Sequence, residues 1–112
     1  MKKVAYFAFN GNSMCFMHVL LNALDMDEKG YESLIVFEGE AVRLIKEMEE
    51  SKNPLYAKAK EQGLFHGVCK ACSAKMGVLE YNETCGIPLA GEMSGHPAME
   101  AYMKNGYEII TL

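Results

Sequence analysis

The sequence predicts an α/β fold built on an open, mainly parallel five-stranded sheet. Short apolar runs of strand length alternate along the chain with longer segments that have helical spacing. The first run, 3–9, is apolar almost throughout, which is typical of a strand covered on both faces of a parallel sheet. Alternating strands and helices favour parallel strands joined by crossover helices. We expect the strand order 2-1-3-4-5.

The predicted elements follow one another in the order β-α-β-α-α-β-α-β-α-β. Strands are predicted at 3–9, 33–37, 64–68, 87–90 and 107–112, and helices at 14–28, 40–50, 55–62, 70–77 and 97–104. Ser13 is the expected N-cap of the first helix, and Pro97 the expected first residue of the last. The segment 78–95 is the least regular. Residues 1–112 are predicted to form one domain.

Composition and charge exclude several classes of protein. The 11 basic and 15 acidic side chains give a net charge of −4, without the clustered basic residues that a nucleic-acid surface requires. No apolar run approaches the roughly 18 residues of a membrane span. The N-terminal apolar run is too short for a signal peptide, so we expect a cytoplasmic protein. Four cysteines in that compartment favour reduced, catalytic or metal-binding thiols over a disulfide framework.

Candidate site residues follow the ends of the predicted strands. Open parallel sheets bind ligands beyond the carboxyl ends of their strands, and the expected order puts the crevice between the first and third strands. Asn10 follows the first strand, Cys15 lies in the first turn of the next helix, Glu38 ends the second strand, and Cys69 follows the third. We therefore expect two or three cysteines at one crevice. Neither nucleotide-binding glycine motif is present there.

Cys69 and Cys72 form a C-x-x-C motif at a predicted strand-to-helix junction. Backbone amides and the helix dipole at that junction favour a thiolate, so we expect the pKa of Cys69 to fall from about 8.5 toward 7 or below. We also expect its sulfur to be open to solvent. A thiolate there can attack a disulfide or take up a sulfane sulfur, and Cys72 is close enough to resolve a disulfide or receive the sulfur.

A lone C-x-x-C is common to redox, metal and sulfur-relay proteins, and both cysteines could simply be small packed residues. The main rival is zinc, because Cys85 and His96 follow the motif with the spacing C-x2-C-x12-C-x10-H. We expect no resident cofactor, with zinc as the alternative. His96 lies in a glycine-rich loop and is the best histidine candidate.

Residues 68–78, VCKACSAKMGV, resemble the corresponding stretch of the DsrE/DsrF-like family of small sulfur-relay proteins. The final GHPAMEAYMKNGYEIITL also resembles the last helix and strand of that family. The resemblance implies a flavodoxin-like three-layer sandwich and assembly into homotrimers or homohexamers. It also implies a persulfide carried at the position of Cys69 and exchanged with donor and acceptor proteins.

These observations together predict a cytoplasmic sulfurtransferase-like persulfide carrier. Cys69 would be the nucleophile and Cys72 the assisting thiol. The pocket is expected to contain Cys15, Asn10, Glu38 and His96. Two alternatives remain open at this point, a zinc-binding module that uses Cys69, Cys72, Cys85 and His96, or a non-catalytic oligomeric subunit.

Overall fold

The computed structural model describes residues 2–112 and has one sheet of five parallel strands. The strands are β1 (Lys3–Ala8), β2 (Glu32–Phe37), β3 (Phe65–Cys69), β4 (Leu89–Ala90) and β5 (Glu108–Thr111). The helices are α1 (Ser13–Glu28), α2 (Leu44–Glu50), α3 (Pro54–Glu61), α4 (Lys70–Lys75), α5 (Leu79–Glu83) and α6 (Met99–Lys104), and a 3₁₀ helix (Gly39–Arg43) precedes α2. The α/β class and the flavodoxin-like sandwich are confirmed.

The expected strand order 2-1-3-4-5 is wrong, because the sheet runs β4-β3-β2-β1-β5. β2 lies between β1 and β3, and β5 covers the other edge of β1. His66, in the middle of β3, is exposed. The expected order placed β3 at the centre of the sheet, whereas in the observed order β3 lies next to the edge strand β4. An exposed side chain suits the observed position better. Apolar runs predict that a strand is covered, but they do not encode its neighbours.

Helices cover the two faces of the sheet unequally. The crossovers from β1 to β4 all step in one direction, and α1, α2 and α3 pack into one large core. Phe37 of β2 anchors this core, with ring centroids 5.3 Å from Phe16 and 5.0 Å from Phe65. Each such buried side chain contributes roughly 1.5–3 kcal/mol. The last crossover returns past β1, so α6 lies on the opposite face, where Tyr102 packs edge-on against Phe7.

Local hydrogen bonds move some element boundaries from their expected positions. Asn12, not Ser13, is the N-cap of α1, because its side chain accepts hydrogen bonds from two backbone amides of the first turn. The last helix begins at Met99 rather than Pro97. The Glu92 carboxylate accepts a hydrogen bond from the backbone amide of Ala98 at 2.9 Å. Ala98 is therefore the last residue of the loop and the N-cap of the helix. The short α5 falls in the segment where no regular element was predicted.

A carboxylate joins three helices of the larger layer. Glu49 of α2 accepts hydrogen bonds from Tyr56 and Lys60 of α3 and from Tyr81 of α5. Lys60 also donates to the backbone carbonyl of Cys85, at 2.6 Å. This network fixes the helices behind β3. No helix within residues 2–112 is long and apolar enough to cross a membrane.

Candidate functional site

Four side chains converge at the carboxyl ends of β2 and β3, and we call them the sheet-edge cluster. Their sulfur, nitrogen and carboxylate oxygen atoms all lie within 4.8 Å of one another. The cluster consists of Glu38, Cys69, Cys72 and His96. Because β2 and β3 are neighbours, Glu38, which follows β2, lies beside Cys69, the last residue of β3.

Cys69 is both the last residue of β3 and the N-cap of α4. Its backbone is extended, with φ −62° and ψ 120°, and this turns the sulfur toward the first turn of the helix. The backbone amide of Cys72 donates a hydrogen bond to Sγ of Cys69 at 3.3 Å. Nδ1 of His96 lies 3.2 Å from the same sulfur and 3.8 Å from Sγ of Cys72. One imidazole nitrogen is therefore within reach of both thiols.

Two buried polar residues support Cys69 from below. The Ser73 hydroxyl donates to the backbone carbonyl of Cys69 at 2.7 Å. The Asn82 side chain donates to the Ser73 hydroxyl at 3.0 Å and to the carbonyl of Val42 at 3.1 Å. Sequence analysis missed both residues. Ser73 lies four positions after Cys69 on a predicted helix, which was a usable signal. Nothing in the sequence pointed to Asn82.

The glycine-rich loop places His96 over the sulfur. The carbonyl of Gly95 accepts a hydrogen bond from the amide of Ala71 at 2.8 Å and lies 3.7 Å from Sγ of Cys69. Gly95 has φ +91°, and a Cβ at this position would lie only 3.0 Å from the Cβ of Ala71. The backbones of Met93 and His96 pair with each other. The close approach of this loop to α4 therefore requires glycine at position 95.

Burial decides the protonation state of Cys69. Its side chain is fully buried, and burial together with the Cys72 thiol raises the pKa of Cys69 to about 12. The Cys72 amide lowers this pKa and the Glu38 carboxylate raises it. The expectation of an exposed thiol with a lowered pKa is therefore wrong, because the loss of water outweighs one amide hydrogen bond. Burial therefore favours the thiol form of Cys69 over the thiolate.

Glu38 is the buried acid of the cluster. Its side chain is almost completely covered, and burial raises its pKa, although the nearby His96 and a hydrogen bond with Cys69 lower it in part. Nδ1 of His96 lies 4.0 Å from Oε1 of Glu38. Glu38 reaches the sulfurs of Cys69 and Cys72 because it directly follows β2, the strand that pairs with β3.

Other predicted site residues lie elsewhere. Asn10 and Cys15 line a mostly apolar groove of about 270 Å³ with His18 and Leu112, where β1 and β5 end. They do not join the sheet-edge cluster, because β2 separates β1 from β3. Two cysteines therefore meet at one crevice, and the third lies at another.

Cys85 is a buried structural thiol. Its sulfur donates to the carbonyl of Asn82 at 3.2 Å and accepts from the amide of Ile87 at 3.5 Å. It is absent from the sheet-edge cluster, so the zinc ligand set that included Cys85 is wrong. The turn of Cys85 and Gly86 packs under Lys60 instead. All four cysteines of the described residues are free thiols.

Comparison with known proteins shows the family of this chain. The model of the DsrE/DsrF-like family matches residues 3–112. The chain belongs to the DsrE/DsrF-like family. An uncharacterized protein of Methanocaldococcus jannaschii is 35% identical over 120 aligned positions, which cover 98% of this chain and 95% of that relative.

A second comparison with a known protein covers only part of the chain. An uncharacterized protein of Archaeoglobus fulgidus is 42% identical over 40 residues, which cover 36% of this chain and 66% of that relative. No solved structure matches the chain significantly. Membership of the DsrE/DsrF-like family supports a function of the sulfur-relay type.

Proposed function

We propose that this protein relays sulfur as a persulfide carried on Cys69. The observation that supports the proposal best is the 3.2 Å distance between Sγ of Cys69 and Nδ1 of His96, inside the sheet-edge cluster. A thiol with a raised pKa needs a base at hydrogen-bond distance to become a nucleophile, and this imidazole nitrogen is such a base.

The transfer balances without an oxidant or a reductant. His96 takes the thiol proton through Nδ1, and Sγ of Cys69 attacks the terminal sulfur of a donor persulfide, R–S–SH. The donor S–S bond breaks as the new S–S bond forms on Cys69. The thiolate R–S⁻ leaves and receives the proton from the imidazole. Delivery to an acceptor thiolate is the same exchange in reverse.

Cys72 would assist this exchange as the second thiol. Its amide donates to Sγ of Cys69 and would stabilise negative charge on that sulfur. Its own sulfur lies 3.8 Å from Nδ1 of His96, so the same base serves both thiols. Cys72 is partly exposed, and it would therefore be the thiol through which sulfur passes to an acceptor.

Donors would reach Cys69 only after the loop 91–96 moves. The carbonyl of Gly95 and the imidazole of His96 cover the sulfur, whereas His96 itself is 42% exposed. Opening this loop would admit the donor and water together. Because burial is the largest cause of the high pKa, opening would also lower the pKa of Cys69.

Cytoplasmic location and self-assembly belong to the same proposal. Four free thiols suit a reducing compartment. On the α6 face, one six-residue helix covers the sheet and leaves Leu34, Tyr107 and Ile109 partly exposed. We propose that a homo-oligomer, a trimer or hexamer, buries this face while donor and acceptor proteins approach the sheet-edge cluster. The mass of the protein in solution tests the assembly.

Persulfide loading tests the function. The reduced, metal-free protein is incubated with a small-molecule persulfide donor, and the intact mass is measured for the gain of one sulfur atom. We expect wild type and the control Cys15→Ser to load, and Cys69→Ser to lose loading. His96→Asn should load about a hundredfold more slowly, the size of a general-base effect. Equal loading of Cys69→Ser and wild type would refute the role of Cys69, and no loading of wild type would favour a non-catalytic subunit.

A further inference from the structure

We propose that the sheet-edge cluster binds a zinc ion with all four of its side chains as ligands. This inference goes beyond sulfur transfer and does not depend on it, because it concerns the affinity of the resting protein for a metal. It also replaces Cys85 by Glu38 in the ligand set that sequence spacing suggests.

Distances within the cluster fit a tetrahedral ion. With zinc–ligand bonds of about 2.0–2.3 Å, neighbouring ligand atoms of a tetrahedral site are about 3.3–3.8 Å apart. Nδ1 of His96 lies 3.2 Å from Sγ of Cys69, 3.8 Å from Sγ of Cys72 and 4.0 Å from Oε1 of Glu38. The remaining ligand pairs lie within 4.8 Å of one another, so shifts of up to about 1 Å would bring the four atoms to tetrahedral spacing.

Three of the four ligands are held in or directly beside the strands and the helix α4. Glu38 and Cys69 stand at the ends of adjacent strands, and Cys72 lies in the first turn of α4, which Ser73 and Asn82 tie to the chain below. The loop that bears His96 is bonded to α4 through Ala71. Such preorganisation lowers the cost of assembling four ligands around an ion.

Charge and donor type favour zinc. Glu38 is buried, and within residues 2–112 no lysine or arginine forms an ion pair with it; its one ionic contact is His96. A divalent cation would compensate this carboxylate. Two sulfurs, one imidazole nitrogen and one carboxylate oxygen are ligands that zinc accepts, whereas magnesium and calcium prefer oxygen alone. The sulfurs would bind as thiolates, so each thiol releases one proton to solvent.

A four-ligand site leaves no open position on the metal, so zinc here would not activate water. It would instead hold the sulfurs of Cys69 and Cys72. A metal-bound Cys69 is not free to attack a persulfide, and zinc occupancy and sulfur loading would therefore exclude each other. Zinc would be a resting or protective state of the thiols.

Metal titration tests the proposal. Protein purified without a histidine tag is reduced, freed of metal with a chelator, and titrated with zinc against a colorimetric chelator, and separately with cobalt. We expect one zinc per chain, and with cobalt the sulfur-to-metal charge-transfer band and the intense visible bands of a tetrahedral site. Absence of zinc binding or of the cobalt charge-transfer band in wild type would overturn the site.

Variants test the ligand set. Cys72→Ser should lose the cobalt charge-transfer intensity of one thiolate, and Glu38→Gln should bind zinc at least about tenfold more weakly, since even second-shell changes cost that much. Cys15→Ser and Cys85→Ser are the matched controls, each of which removes a thiol outside the cluster and should leave affinity unchanged.

Circular dichroism establishes that each variant is folded. Unchanged affinity in Glu38→Gln, or lost binding in Cys85→Ser, contradicts the four-ligand assignment. Persulfide loading of metal-free protein is measured separately, so failure of one proposal leaves the other standing.

Discussion

At the scale of single residues, Cys69 shows how burial outweighs a favourable hydrogen bond. The Cys72 amide points at its sulfur as the C-x-x-C motif led us to expect. The sulfur is nevertheless closed off from water, and its pKa rises to about 12. Motif and spacing predicted the residue and its place at the strand end. They did not predict the covering loop, because close approach of 91–96 to α4 is a tertiary contact.

The raised pKa predicts slow alkylation of Cys69. In metal-free protein near neutral pH, iodoacetamide should modify Cys69 more slowly than the exposed Cys15, because the alkylating species is the thiolate. The rate at Cys69 should rise about tenfold per pH unit while pH remains below its pKa. Mass spectrometry of tryptic peptides after timed alkylation measures each rate. Faster reaction at Cys69 than at Cys15 near neutral pH would show that the thiol is already ionised or exposed.

At the scale of elements, the loop 91–96 is the part of the chain that completes the site. Gly95→Ala should destabilise the protein by about 1–2 kcal/mol, because a positive φ is costly for alanine and its Cβ would press on Ala71. It should also slow persulfide loading, since His96 would shift. Urea unfolding measures the first effect. Gly91→Ala is the control, because a Cβ there meets its nearest atoms at an ordinary 3.5 Å; equal losses in both variants would contradict the role of Gly95.

The helix layer depends on Glu49. Burial alone would raise the pKa of Glu49, but hydrogen bonds from Lys60, Tyr81 and Tyr56 outweigh it and lower that pKa. Its stabilising effect is therefore present above the unfolded pKa of about 4.3 and is lost as pH falls through the lower folded value. Glu49→Gln should reduce the free energy of unfolding by about 1–2 kcal/mol at neutral pH and much less in acid.

Urea unfolding at neutral and acidic pH, with the neighbouring exposed Glu50→Gln as control, measures this effect. A loss that is equal at both pH values would show that Glu49 acts through packing rather than through its charge.

At the scale of the whole molecule, strand order decides which residues share a site. The alternation of elements was sufficient to predict a parallel α/β sandwich. In the expected order, β1 would separate Glu38 from Cys69; in the observed order β2 and β3 are neighbours and the two meet. Cys15 goes instead to the edge shared by β1 and β5. Sequence periodicity indicates how each strand is covered, but the neighbours of a strand depend on how the helices pack. For this reason, four of the predicted site residues converge and the others do not.

The most direct test of the account is to locate the transferred sulfur within the wild-type chain. Lys70 lies between Cys69 and Cys72, so trypsin places the two cysteines on different peptides. After metal-free protein has been incubated with a persulfide donor until loading is complete and then trapped by alkylation, we expect the added sulfur on the peptide that ends at Lys70. Sulfur that is found on the peptide of Cys15 alone, or on none of the cysteine peptides, would contradict the assignment of Cys69 as the carrier.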